Sequence, residues 1–204
     1  MINIGTDIQG LSEMNRPWTH TNKWKYDFMM ELIFQQARTI YVSSPKDQLT
    51  KYQPGGSLLS ITGYNVGRIN KTGQDPMGQF AWSMMRGKHD EGILIIVAYR
   101  VCQDQNSKAG AFTAYQQQCT ALHAQGLKKP NPRQQVLTNL AHLITTKHNE
   151  GFHPMLMMDA NRDTHHPNTP DLGLREFIDT TNLVNMYYKN SRSQPGLSCG
   201  EQSV

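Results

Sequence analysis

Runs of hydrophobic residues divide the chain into strands and helices. The clearest strand is residues 93–99, whose two alternating faces are both apolar, which is typical of a strand buried on both sides. Shorter strands are expected at residues 7–13, 39–43, 57–62, 155–158 and 183–187. Apolar residues three and four apart predict helices at residues 23–37, 112–122, 132–148 and 171–181. One face of the first helix carries Trp24, Phe28, Leu32 and Ile33. The mixed order of elements predicts an α/β or α+β domain.

The composition fits one globular domain. The chain has 204 residues, of which 37% are hydrophobic and 18% charged, so uncharged polar residues are abundant without the high charge that is typical of disorder. From residue 191 the pattern changes to Ser, Gln, Gly and Pro. We therefore expect a domain over residues 1–190 and a disordered or frayed tail over residues 191–204.

Charge and cysteine content favour an intracellular protein. The net charge of +4 suits anionic partners such as nucleic acid, although many other enzymes share it. The three cysteines form no CxxC pair, so free thiols in a reducing compartment are expected, with Cys102 and Cys119 in or near the core. We see no signal peptide, membrane partner or obligate protein partner. The location is expected to be the nucleus or the cytoplasm.

Two acidic residues follow predicted strands. Glu13 ends the first strand, and Asp159 follows strand 155–158, with Asn161 two residues later. Residues from strand ends often share one ligand, and carboxylate and amide oxygens suit a hard cation such as Mg²⁺. Such residues are also common in turns and caps. Taken alone, the pattern leaves both interpretations open.

Five segments in order add a family resemblance. They are residues 7–15 (DIQGLSEMN), 53–59 (QPGGSLL), 97–101 (VAYRV), 157–163 (MMDANRD) and 174–184. Together they resemble the endonuclease/exonuclease/phosphatase superfamily, and in particular the apurinic-endonuclease-like domains of retroelements. The resemblance implies a two-layer β-sandwich flanked by helices, a four-layered αββα architecture.

The resemblance also implies roles for single residues. Glu13 would bind the metal, and Asp159 would orient or deprotonate the attacking water. Asn161 would hold the phosphate or the nucleophile, Tyr99 would place its hydroxyl on the scissile phosphate, and Arg100 would contact phosphate. Each residue also has a structural alternative. Glu13 would be a surface acid, Asp159 and Asn161 would form an Asx-turn, Tyr99 would be a core tyrosine, and Arg100 would be a solvated arginine.

The implied activity is Mg²⁺-dependent hydrolysis of phosphodiester bonds in DNA, with Mn²⁺ as a possible replacement. The family pattern also has an Asn-bearing strand before the glutamate motif and a Ser-Asp-His motif near its end, and neither is found here. We therefore expect a domain incomplete at both ends, and whether it is an active enzyme stays open. One alternative is an inactive remnant that at most binds nucleic acid. Another is a phosphatase of small phosphoesters.

Two further features are weaker. Residues 128–133 (KKPNPR) form a basic segment that would either contact a nucleic-acid backbone or only increase solubility. His165 and His166 suggest a metal site, but no other ligand lies at helical spacing from them.

Overall fold

Two sheets form the centre of the protein. The computed structural model describes residues 6–43, 53–87, 91–102, 113–161, 171–184 and 186. The first sheet has three antiparallel strands, β1 (Ile8–Ser12), β2 (Ala37–Val42) and β3 (Ser57–Thr62), in the order β1-β3-β2. A short 3₁₀ helix (Gly63–Arg68) leads from this sheet to the second.

The second sheet has four strands: β4 (Ile69–Gln74), β5 (Phe80–Arg86), β6 (Gly92–Tyr99) and β7 (Phe152–Asp159). They lie in chain order, antiparallel from β4 to β6, whereas β6 and β7 are parallel. The hydrophobic pattern did not predict β4 and β5. β4 is mostly polar (INKTGQ), and a partly exposed strand of this kind gives little hydrophobic signal.

In the described part of the chain the sheets are flanked by helices α1 (His20–Phe34), α2 (Ala114–Ala124), α3 (Pro132–Asn149) and α4 (Leu172–Thr181). Each begins after a side chain that caps it by accepting a hydrogen bond from the third helical N–H. The caps are Thr19, Thr113, Asn131 and Asp171. In α3 the first helical residue is Pro132, a position where the missing N–H costs little.

Strand β6 separates two hydrophobic cores. One face, with Leu94 and Ile96, packs against α3 and α4. The other face, with Ile95 and Val97, packs against β2 and β3 of the first sheet. The first sheet is covered on its far side by α1, where Tyr41 of β2 contacts the helix. The layers are therefore helix, sheet, sheet and helices, which confirms the predicted α/β sandwich.

Some sequence predictions differ from the structure. The apolar face predicted for α1 points to solvent, with Leu32 69% exposed. No strand forms at Leu183 or Val184, where α4 has just ended in a left-handed Asn182. Cys102 is exposed rather than part of the core, because it follows the end of β6. The predicted tail lies outside the described residues, as do His165 and His166.

None of the described helices combines the length and the apolar character that crossing a lipid bilayer requires.

Candidate active site

The ends of β6 and β7 bring together the residues predicted from the sequence. The two strands are parallel and pair Tyr99 with Asp159. The ladder continues for one more step, since the N–H of Arg100 donates to the carbonyl of Asp159 at 3.0 Å. Parallel neighbours end at the same edge of a sheet, so Tyr99, Asp159 and the following Asn161 lie side by side.

A glycine lets the first sheet approach this edge. A Cβ atom at Gly10 in β1 would lie 3.0 Å from both Met157 Cε and Val97 Cγ2, which is tighter than an ordinary van der Waals contact, so glycine allows β1 to pack closely on β6 and β7. The residue after β1 is Glu13, three positions beyond Gly10. The close contact at Gly10 therefore carries Glu13 to the edge where β6 and β7 end.

A hydrogen bond joins the two sheets at this point. The Tyr99 hydroxyl donates to Glu13 Oε1 at 3.1 Å. Tyr99 is 3% exposed, and Glu13 is exposed. Burial raises the pKa of Tyr99, and the negative charges of Glu13 and Asp159 raise it further. The hydroxyl therefore stays protonated and acts as a hydrogen-bond donor at neutral pH.

The backbone at Glu13 is held in an unusual conformation. Its φ is +53°, in the left-handed region that few residues other than glycine adopt. Both following residues pair with the start of the β3 segment: Met14 N–H donates to the Gly56 carbonyl and Asn15 N–H to the Gly55 carbonyl. The Asn15 side chain also accepts from the Gly55 N–H at 2.9 Å. These bonds fix the turn and keep the Glu13 carboxylate at the site.

Three hydrogen bonds fix Asn161, one through its backbone and two through its side chain. The backbone N–H donates to Asp159 Oδ1 at 3.2 Å, the side-chain Nδ2 donates to the Arg100 carbonyl at 2.8 Å, and the Cys102 thiol donates to the side-chain Oδ1 at 3.0 Å. This is the Asx-turn considered from the sequence, and it holds the amide at the edge of the site. The turn and the predicted functional role are compatible.

A buried ion cluster supports the end of β6. The Arg100 guanidinium donates to both carboxylate oxygens of Asp171, at 2.6 and 3.3 Å, and to the Arg133 carbonyl. Arg133 in turn donates to the Val101 carbonyl and to Asp171. Burial acts to raise the pKa of Asp171, but the hydrogen bond from Arg100 and the charges of both arginines outweigh it and lower the pKa to about 2.

The chemistry of these groups fits a hard divalent cation. Glu13, Asp159 and Asn161 offer oxygen ligands, and Mg²⁺ is often bound by one or two carboxylates together with water and substrate phosphate. Burial and the charges of Glu13 and Asp159 raise the pKa of the Cys102 thiol, so it stays protonated and does not compete as a soft ligand. Among the described residues no three His, Cys, Asp or Glu side chains gather around one point.

A large cavity lies on the other side of β7. It has a volume of about 770 Å³ and is lined by residues of α3, β7 and α4, including Met158 and Ala160. Successive residues of a strand point to opposite faces, so Asp159 points away from this cavity. We place the candidate active site at Asp159 because the polar groups converge there.

The structure brings four of the five predicted site residues into one cluster: Glu13, Tyr99, Asp159 and Asn161. Arg100 is 3% exposed, and its guanidinium would have to leave Asp171 to bind phosphate, so this role stays a prediction. Sequence reasoning missed the contributions of Cys102, Arg133 and Asp171. Only the Asp171 helix cap left a signal in the sequence, as an aspartate before an apolar helix.

No protein-family model matches the chain, and no curated protein does. Among solved structures, it is similar to the human Nocturnin catalytic domain with a bound sulfate anion, with a TM-score of 0.51 and 13% sequence identity. The similarity covers 94% of this chain and 64% of the Nocturnin chain, so the protein spans less than two thirds of the length of that domain. The similarity shows the fold alone, which is a mixed α/β sandwich of two sheets flanked by helices.

Proposed function

We propose that this chain is a Mg²⁺-dependent phosphodiesterase that cleaves DNA, an endonuclease of the retroelement type, with Mn²⁺ able to replace Mg²⁺. The observation that carries the proposal is the hydrogen bond from Tyr99 to Glu13, which joins the strand ends of both sheets next to Asp159 and Asn161. This edge of the fold thereby combines three kinds of group. They are oxygen ligands for a cation, a candidate general base, and hydrogen-bond donors.

Each residue has a distinct part in the proposed hydrolysis. Asp159 Oδ1 accepts the N–H of Asn161, which leaves Oδ2 to take a proton from the attacking water. The water oxygen forms a bond to phosphorus, the bond from phosphorus to the leaving oxygen breaks, and that oxygen takes a proton from solvent. On substrate binding the Tyr99 hydroxyl would turn its single proton from Glu13 to a phosphate oxygen, and the second N–H of the Asn161 amide would donate to another. Glu13 would hold a divalent cation, which would supply positive charge to stabilise the phosphate in the transition state.

The shape of the site supports a polymeric substrate. Glu13 and Cys102 are exposed, which suits a polymeric substrate that reaches the site from solvent. The basic segment predicted from the sequence is linked to the end of β6 through its last residue, Arg133. Lys128 and Lys129 are exposed, and Arg133, four residues after Lys129, is bonded to the carbonyl of Val101 at the end of β6. Four and five residues of chain span at most about 14 and 18 Å, so Lys129 and Lys128 lie within these Cα distances of Arg133, in reach of a polymer that extends from the site.

Replacing Lys128 and Lys129 with glutamine is expected to weaken DNA binding and make it less sensitive to salt. Each lost phosphate contact lowers the slope of log K against log salt by about 1, so the double variant loses about 2. Binding to a fluorescent duplex, measured as a function of salt concentration, gives the slope. Lys71→Gln is the control, because Lys71 is exposed on β4 at the opposite edge of the sheet. Equal slopes for the double variant and the control would exclude the basic segment from the interface.

The proposed function is tested by incubating the wild-type chain with several substrates in Mg²⁺ and in EDTA. Supercoiled plasmid and abasic duplex DNA report endonuclease activity, and inositol phosphates report activity on small phosphoesters. We expect Mg²⁺-dependent nicking of DNA. Hydrolysis of the small esters alone would assign a phosphatase, and salt-sensitive DNA binding without cleavage at any Mg²⁺ concentration would assign a non-catalytic binding protein.

A further inference from the structure

Helix α1 exposes an unusually large apolar surface. Five large hydrophobic side chains lie on its outer side, each about half exposed or more, and we call them the α1 apolar face. They are Leu32 (69%), Trp24 (59%), Ile33 (58%), Met29 (53%) and Phe28 (49%). The rings of Trp24 and Phe28 stack on each other with their centroids 5.7 Å apart. Hydrophobic residues scattered singly on a surface are ordinary, but five on one helix are not.

The helix cannot turn this face inward, because its other side is fixed to the first sheet. The Tyr41 hydroxyl of β2 donates to Asp27 Oδ1 at 2.5 Å, and Met30 is 4% exposed. Tyr26 packs edge-on against Tyr41 with their centroids 6.0 Å apart. On the helical wheel Met30 and Asp27 lie opposite the centre of the α1 apolar face, and Tyr26 lies at its margin, next to Ile33. The exposure of that face is therefore a consequence of a well-anchored helix.

The area of the face matches what a protein interface needs. The exposed parts of its five side chains amount to roughly 600 Å², on the basis of about 150–250 Å² for a whole aromatic side chain. That value is at the upper limit of the largest apolar patch on a typical monomer, about 300–600 Å². Complete burial of two such faces would remove about 1,200 Å², which reaches the lower end of the range for specific, stable interfaces.

The charge of α1 and the spacing of its apolar residues favour an uncharged helix with the same residue spacing as the partner. Within α1, Lys23 and Lys25 balance Asp27 and Glu31, so the helix offers no net positive charge to a nucleic acid or an anionic lipid. Trp24, Phe28 and Leu32 follow one another at a spacing of four residues. Such a row forms a ridge that fits into the groove of a second helix with the same spacing.

We infer that the α1 apolar face is the contact surface between two copies of this chain, which pair through their α1 helices in a symmetric dimer. A two-fold interface uses the same patch on both subunits, so a single apolar helix face is sufficient. The candidate active site lies at the strand ends of the two sheets and takes no part in this contact, so the inference stands apart from the proposed function.

The test is the oligomeric state of the full chain, measured by analytical ultracentrifugation over about 1 to 100 µM. The wild type is expected to form a dimer in this range. Leu32→Glu and Met29→Glu each place a carboxylate in the centre of the interface and should weaken association by about 100-fold or more. Leu172→Glu is the matched control, because Leu172 is 71% exposed on α4, and it should leave the dimer unchanged.

Folding and contact are checked separately. Thermal melting should show that both α1 variants fold, because they replace exposed side chains. If either variant fails to fold, hydroxyl-radical footprinting of the wild type decides, since dimerisation predicts that Trp24 becomes protected as the concentration rises. A wild type that is monomeric throughout the range, or a dimer that survives both α1 substitutions, would overturn the inference. Binding to phosphatidylcholine vesicles by a monomeric wild type would do the same and would assign the face to lipid.

Discussion

Replacing Asp159 with asparagine is expected to slow phosphodiester hydrolysis by about 10²- to 10⁴-fold, the usual contribution of a general acid or base. Asparagine keeps an oxygen that accepts the Asn161 N–H, so the turn after β7 is preserved. It removes the negative charge and the proton acceptor, so the loss should appear in the rate of cleavage and not in folding. Single-turnover nicking of supercoiled DNA in Mg²⁺ measures this rate directly.

The control for Asp159 is Asp179→Asn. Asp179 is exposed on α4, so the control removes one negative charge without touching the candidate site. DNA binding by the two variants should be similar, because losing one carboxylate changes the overall charge equally in both. An Asp159→Asn protein as fast as the Asp179→Asn protein would remove Asp159 from the mechanism.

Replacing Asp171 with alanine is expected to lower the free energy of unfolding by about 3–5 kcal/mol, because removing one partner of a buried ion pair leaves the other charge uncompensated. The side chains of Arg100 and Arg133 are 4% and 7% exposed, and both are paired with Asp171. The substitution also removes the N-cap of α4, which contributes about 1 kcal/mol. The change in the free energy of unfolding is measured by urea denaturation, which is monitored by circular dichroism.

The variant Asp171→Asn distinguishes the stability contributed by the helix cap from the stability contributed by the ion cluster. Asparagine caps helices about as well as aspartate, so this variant keeps the bond to the Leu174 N–H and loses only the charge. If Asp171→Asn is as stable as the wild type, the arginines do not depend on the charge of Asp171, and the account of the cluster is wrong.

The same cluster predicts a pH dependence. The pKa of Asp171 is lowered to about 2 in the folded protein, below the value of about 3.9 for an unfolded aspartate. A group whose folded pKa is lowered stabilises the protein above its unfolded pKa and loses that contribution as the pH falls through the folded value. The stability difference between wild type and Asp171→Asn should therefore be constant near neutral pH and shrink between about pH 4 and pH 2.

The central strand could be predicted from sequence because its pattern has one physical cause. Residues 93–99 are apolar on both faces since β6 packs against helices on one side and against the first sheet on the other. Strand β3 was also predicted with its observed bounds, Ser57–Thr62. The order of the resembling segments placed Glu13 and Asp159 in one site, although 146 positions separate them in the chain.

Other features depend on tertiary contacts that leave little trace in the sequence. The apolar residues of α1 have a normal helical spacing, and spacing alone does not reveal that Tyr41 and Asp27 turn them toward solvent. The side chain of Arg100 looks like a phosphate ligand beside Tyr99, but it lies against Asp171, which is 71 residues away along the chain. Pairings of this kind follow from the packing of the layers and not from local pattern.

The central claim is that Glu13 of the first sheet and Asp159 of the second act in one hydrolytic site. The most direct test is a double-mutant cycle of DNA nicking rates in Mg²⁺, with Glu13→Gln, Asp159→Asn and both together. Residues that act as a unit show strongly non-additive effects. We predict that each single variant is severely slowed and that the double variant is about as slow as the slower single one. A Glu13→Gln protein with wild-type activity, or rate losses that multiply in the double variant, would contradict the claim.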